Sequence, residues 1–122
     1  MVKKISRDEL VALLKSGRKF RLVDVLPKEH YEKEHIKGAM SIPLVEIEKK
    51  ALSLLGKDEL IVVYCASFEC QASTSAAKQL ERLGFTGVLD YKGGLADYKE
   101  ANLPLEGDSV PGVSPGICSS CG

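Results

Sequence analysis

The stretch Ile61-Val62-Val63-Tyr64-Cys65-Ala66-Ser67-Phe68-Glu69-Cys70-Gln71-Ala72-Ser73 constrains this chain more than any other. Its first four residues are apolar or aromatic, three of them β-branched, and read as a buried strand over 61–64. Cys65 stands at the strand end, a short polar loop follows, and a helix begins near Ser73-Thr74-Ser75-Ala76-Ala77. That order presents a thiol to the unpaired N–H groups of a loop and a first helical turn, where the helix dipole adds partial positive charge. Such a setting is expected to favour the thiolate, the nucleophilic form of cysteine. Cys65 is therefore the expected catalytic residue.

Around this segment, helix and strand signals alternate. Ser6-Arg7-Asp8-Glu9 has the capping-box pattern, Leu10, Leu13 and Leu14 form an apolar stripe, and Gly17 can close the helix. Residues 20–25 read as a strand ended by Pro27, and 29–34 as about one charged helical turn. A short strand is expected over 39–43, with Pro43 in the first position of a helix that runs to Gly56. The helix after the loop places Ala76, Leu80 and Leu83 on one face and stops at Gly84. Residues 87–91 read as the next strand and 94–101 as a last short helix before Pro104. The run 61–64, being the most apolar, is expected at the centre of the sheet. Alternating strands and helices imply an α/β fold with a mostly parallel sheet covered on both faces. Ligands of such sheets bind outside the carboxyl ends of the strands, where Cys65 lies.

A chain of 122 residues fits one domain. Its 17 basic and 17 acidic residues balance, which argues against nucleic acid or an anionic membrane as a partner. No run approaches the roughly 20 apolar residues of a membrane helix. Met1-Val2-Lys3-Lys4-Ile5-Ser6 turns polar at once, without the apolar core of a signal peptide, so a cytoplasmic location is expected. There the four cysteines, Cys65/Cys70 and Cys118/Cys121, suggest chemistry or metal binding more than a disulfide scaffold. From Glu106 the composition shifts to Gly, Pro and Ser. Residues 1–105 are expected to form the domain, and 106–122 a flexible tail ending in Cys118-Ser119-Ser120-Cys121.

Five blocks in order carry a family resemblance: Asp24-Val25, Glu34-His35-Ile36-Lys37-Gly38-Ala39, Tyr64-Cys65, Ala76-Ala77, and Tyr91-Lys92-Gly93-Gly94 with Tyr98 where tryptophan is usual. Over residues 5–105 the chain resembles a single-domain rhodanese, a sulfurtransferase. The resemblance implies a rhodanese-like α/β fold and a Cys65 that takes sulfane sulfur as a persulfide, which a second thiophile discharges. Loop N–H groups would stabilise thiolate and persulfide, so no cofactor and no metal is expected. Departures are informative too. Leu26 follows Asp-Val where Arg is frequent, Cys70 stands where a common loop has Arg, and the loop is about two residues longer than the short type. Longer loops occur in related phosphatases and arsenate reductases, but no Arg or Lys lies between Cys65 and Lys78 to close around an oxyanion.

The other site residues have several readings. Cys70 can be a resolving thiol that attacks the persulfide, a disulfide partner of Cys65, the primary attacker beside the helix N-terminus, or a loop residue packed inward. Ala66, Ser67, Phe68, Glu69, Gln71, Ala72 and Ser73 form the active loop, and Ser67 can donate a hydrogen bond to the thiolate. Lys92 is the candidate cation for an anionic donor such as thiosulfate. Asp24 and His35 are expected to be structural, and Gly93-Gly94 a tight turn rather than a phosphate loop. Cys118 and Cys121 read as a swinging dithiol, as half of a shared metal site, or as an inert tail. The expected function is sulfane-sulfur transfer from a small donor to a thiol acceptor, which can be a protein. The alternative is a persulfide carrier or a sulfide- or redox-sensing module without its own turnover.

Overall fold

The computed structural model describes residues 2–107. In chain order, strand β1 (Lys3–Ile5) leads into helix α1 (Arg7–Ser16), then β2 (Arg21–Asp24) and α2 (Lys28–Lys33). β3 (His35–Ile36) and β4 (Met40–Ser41) precede α3 (Ile47–Leu54) and β5 (Leu60–Tyr64). The chain continues through α4 (Ala72–Arg82), β6 (Gly87–Tyr91), α5 (Gly94–Glu100) and β7 (Leu105–Glu106).

Five strands form one parallel sheet in the order β1-β6-β5-β2-β4, with β5 at its centre as its apolar run predicts. Period-two alternation sends Ile61, Val63 and Cys65 into a core shared with α3 and α4. Val62 and Tyr64 point the other way, into a core shared with α1 and α5. Each aliphatic side chain fully buried in this manner contributes about 1.5–3 kcal/mol. Asp24 pairs with Tyr64, and Tyr64 with Tyr91, so β2, β5 and β6 end level with one another. The segments that follow them, beginning at Val25, Cys65 and Lys92, therefore emerge along one edge.

Several local signals act as read. Ser6 and Glu9 exchange both capping-box hydrogen bonds, at 3.0 and 3.2 Å, and Gly17 closes α1 with φ of 76°. Pro43 behaves differently from expectation. It lies just outside a 3-10 turn (Leu44–Glu46), and α3 starts only at Ile47. The fold also runs past residue 105. Glu106 pairs with His35 in a two-stranded antiparallel ladder of β3 and β7, one residue past the boundary read at 105. Cys118 and Cys121 lie outside the described residues.

Candidate active site

The site is built at the carboxyl edge of the sheet. β5 delivers Cys65, and a turn closed by the Cys70 N–H on the Ser67 carbonyl at 3.1 Å carries the chain to α4. The loop is pinned from behind by the β6–α5 turn. There Leu95 N–H donates to the Cys65 carbonyl at 2.9 Å, and Ala96 N–H to the Ala66 carbonyl at 2.8 Å. Those carbonyls occupy first-turn donors of α5 that would otherwise be orphaned. Gly94 makes the approach possible: its φ is +63°, and a Cβ there would overlap the Cys65 carbonyl oxygen. The glycine pair is a packing device, in line with the tight turn expected of it.

The two loop cysteines have unlike surroundings. Cys65 is 0% exposed, and its S–H donates to the Cys70 carbonyl at 3.4 Å. Burial pushes its thiol up, and its interaction with Cys70 adds to the rise. The Ser73 hydroxyl and N–H oppose this without reversing it. Cys70 is only half-buried. Burial would raise its thiol, but the Cys65 S–H, the N–H groups of Ala66 and Ala72, and the Lys92 charge together hold it below the ordinary thiol range. The direction at Cys65 is thus opposite to the expected depression, because its side chain is fully buried while that of Cys70 is not. Selective alkylation checks this contrast. At pH 7, iodoacetamide should modify Cys70 faster than Cys65, since the opposite shifts leave Cys70 the larger thiolate fraction. Raising the pH should narrow the gap, and peptide mass spectra showing equal or reversed rates at pH 7 would contradict it.

The remaining loop residues take definite places. Ser67 Oγ donates to the exposed Glu69 carboxylate at 3.1 Å and is not directed at a sulfur. An acid two residues ahead has captured the hydroxyl. Phe68 stands 62% exposed at the tip. Gln71 precedes α4 without a side-chain cap bond, leaving the first-turn N–H groups for the sulfurs. Ser73 Oγ is buried beside Cys65 and lacks a partner at ordinary hydrogen-bond geometry among the described residues. Lys92 donates to the Cys70 carbonyl at 2.6 Å, which fixes its ammonium over the loop. Ala66 borders an open cleft of about 360 Å³ with Leu26, His30, Leu95 and Lys99, and Phe68 borders a second of about 290 Å³ with Arg7, Gly93 and Asp97. Among the described residues, no group of three or more His, Cys, Asp or Glu is placed to hold a metal ion. Nor is any described helix long and apolar enough to cross a membrane.

Beneath the loop lies a buried network that pattern reading missed. Tyr64 Oη donates to Asp24 Oδ2 at 2.8 Å and accepts the Ile36 N–H at 2.9 Å, while Asp24 Oδ1 accepts the Leu26 N–H at 2.9 Å. His35 stacks on Tyr31 at 3.8 Å between ring centroids and places Nδ1 2.7 Å from the Tyr31 carbonyl. Both residues brace the strand ends. Burial pushes the Asp24 carboxyl up, against the Leu26 N–H and the Tyr64 hydroxyl, which lower it. A raised folded-state value means the protonated form is favoured on folding. Stability should therefore fall as pH rises from about 4 toward neutrality, the unfolded carboxyl titrating near 3.9. Asp24→Asn should lack that component in urea unfolding followed across the same range. A parent-minus-variant difference that stays flat or grows with pH would contradict the assignment.

Comparison with known proteins agrees with this geometry. The family model for the rhodanese-like domain matches residues 6–101. YrkF of Bacillus subtilis, named for a proposed sulfur-carrier role, is 33% identical over 97 residues, covering 80% of this chain and 51% of YrkF. This chain thus spans about half the length of that relative. The Escherichia coli thiosulfate sulfurtransferase PspE is 36% identical over 76 residues, 62% of this chain and 70% of PspE. Among solved structures, the rhodanese-like domain of the Anabaena protein Alr3790 superposes with a TM-score of 0.82 at 32% identity, covering 98% of this chain and 89% of that one. With the family model matched over residues 6–101, on a five-stranded parallel sheet with a strand-end cysteine, the chain belongs to the rhodanese-like family.

Proposed function

We propose that this protein moves sulfane sulfur from a small donor such as thiosulfate to a thiol or other thiophilic acceptor through a cysteine persulfide in the loop of residues 65–73. The observation that carries the reading is the pair of free thiols, Cys65 and Cys70, in the loop at the sheet's carboxyl edge, with the Lys92 ammonium held 2.6 Å from the Cys70 carbonyl. A thiolate so placed attacks the outer sulfur of thiosulfate, sulfite leaves with the bonding pair, and the loop donors stabilise the anionic persulfide. Family membership and the names of PspE and YrkF support the same chemistry. A cytoplasmic setting, where thiols stay reduced, suits this chemistry with a small sulfur substrate and a thiol acceptor.

A persulfide carrier is the second reading, and the loop favours it in one respect. It holds no Arg or Lys between Cys65 and Lys78, so a doubly charged donor lacks a guanidinium clamp. Steady release of sulfite from thiosulfate, with cyanide or a dithiol as acceptor, separates the two. Many turnovers per chain identify an enzyme, whereas about one sulfite per chain followed by arrest identifies a carrier. No sulfite at all would contradict both.

A further inference from the structure

We propose that Lys92 binds the oxyanion end of the sulfur donor and so places the donor's outer sulfur against Cys65. This rests on the sulfur-transfer reading above and names the residue that selects its donor. Lys92 reaches the loop from the β6–α5 turn, outside the segment that lacks Arg and Lys between Cys65 and Lys78. Its Nζ donates to the Cys70 carbonyl at 2.6 Å, and the Cys65 S–H meets the same oxygen at 3.4 Å. Ammonium and sulfur are therefore neighbours across one acceptor. Lys99 and Arg7, which line the two clefts beside the loop, are already engaged with carboxylates, Glu34 at 2.8 Å and Asp97 at 2.9 Å. Among the described residues Lys92 forms no ion pair. Its one partner is that carbonyl, so its charge and two of its three N–H donors stay available. An oxyanion one bond away from the sulfane sulfur, as in thiosulfate, is the matching ligand.

The same contacts account for access to a buried nucleophile. Cys65 has no exposed surface, and the Cys70 carbonyl rests against its sulfur. A hydrogen bond between two ionised groups is stronger than one to a neutral carbonyl, so a bound oxyanion draws the ammonium away from Cys70. The carbonyl then loses the contact that fixes it beside the Cys65 sulfur, and the sulfur opens toward the donor. Cys65 gives its proton to solvent, and its thiolate attacks the outer sulfur of thiosulfate. A new S–S bond forms, the donor's S–S bond breaks, and sulfite leaves with the electron pair. The donor's two charges remain on sulfite, and the thiolate's charge passes to the persulfide. Lys92 thus faces a doubly charged oxyanion before and after transfer, which makes its contribution one of donor binding rather than of the chemical step.

The test follows single-turnover sulfur loading of the full chain against donor concentration, for thiosulfate with two charges and methanethiosulfonate with one. Lys92→Met should raise the half-saturating thiosulfate concentration roughly tenfold or more and leave the maximal loading rate within about threefold. For methanethiosulfonate the rise should be smaller, since the attraction scales with the donor's charge. Lys92→Arg, a second variant that keeps the cation, should recover most of the thiosulfate binding. Added salt should weaken thiosulfate binding to the parent and hardly change that of Lys92→Met. Lys33→Met removes an exposed lysine that lines the neighbouring cleft, and it should behave as the parent does. A Lys92→Met protein, native by circular dichroism, that saturates at the parent's thiosulfate concentration would overturn the assignment. Equal losses with both donors would overturn it too, because they mark a residue that only shapes the loop. A parent that loads sulfur from neither donor would instead overturn the sulfur-transfer reading on which the assignment rests.

Discussion

Gly94→Ala should destabilise the domain by about 3–5 kcal/mol and abolish most sulfur loading. The magnitude sums two effects. A non-glycine residue held at φ near +63° costs on the order of 1–3 kcal/mol. The new Cβ would also lie 3.0 Å from the Cys65 carbonyl carbon and 3.1 Å from that of Ala66, with the Cys65 oxygen closer still. Relief requires the β6–α5 turn to back away, which breaks the Leu95 and Ala96 hydrogen bonds to the loop, at roughly 1 kcal/mol each. Gly93→Ala provides the contrast. Gly93 has an ordinary φ of −61°, and its Cβ would meet the Asp97 side chain rather than backbone. It should cost less, chiefly by disturbing the Asp97 contacts to Tyr91 at 2.8 Å and Arg7 at 2.9 Å. Urea unfolding and sulfite release measure both variants. A Gly94→Ala protein within about 0.5 kcal/mol of the parent, loading sulfur normally, would contradict the packing role assigned to this turn.

Tyr64→Phe should cost about 2–4 kcal/mol, although it removes a single oxygen. That oxygen satisfies two buried groups at once, the Ile36 N–H and an Asp24 carboxylate oxygen. Leaving a buried polar group unpaired costs about 1–3 kcal/mol, and a carboxylate lies at the upper end. Asp24 also loses a donor that lowers its pKa, so the variant's stability should fall more steeply than the parent's as pH rises from about 4. Denaturation midpoints within about 0.5 kcal/mol of the parent at pH 7 would show that water takes over the lost hydroxyl.

The elements legible in the sequence are those specified by near neighbours. The apolar run of β5, the capping box of α1 and the glycine-bounded β6 all announce themselves within a few residues. β1 does not, because Lys3 and Lys4 are exposed and only Ile5 is buried in that three-residue strand. The β3–β7 ladder is invisible for another reason: two residues pair with two others some 70 positions away, and His35 and Glu106 carry no strand pattern of their own. Within the site, the order strand, cysteine, loop and helix read from the sequence is the arrangement of β5, the 65–71 loop and α4. How differently the two thiols are buried was not legible, since it depends on the 67–70 turn. The Asp24–Tyr64–Ile36 network was hidden similarly, since its members come together only when β2 and β5 pair in register.

Sulfur transfer through the loop thiols is tested most directly by counting sulfite in a single turnover. Full-length protein, fully reduced and freed of reductant, is mixed with excess thiosulfate, and the sulfite released in the first phase is compared with the same chain carrying Cys65→Ser and Cys70→Ser together. The parent should release about one sulfite per chain, and the double variant, folded by circular dichroism, should release none. Equal sulfite from both proteins would place the chemistry outside this loop, and no sulfite from the parent would remove thiosulfate as its donor.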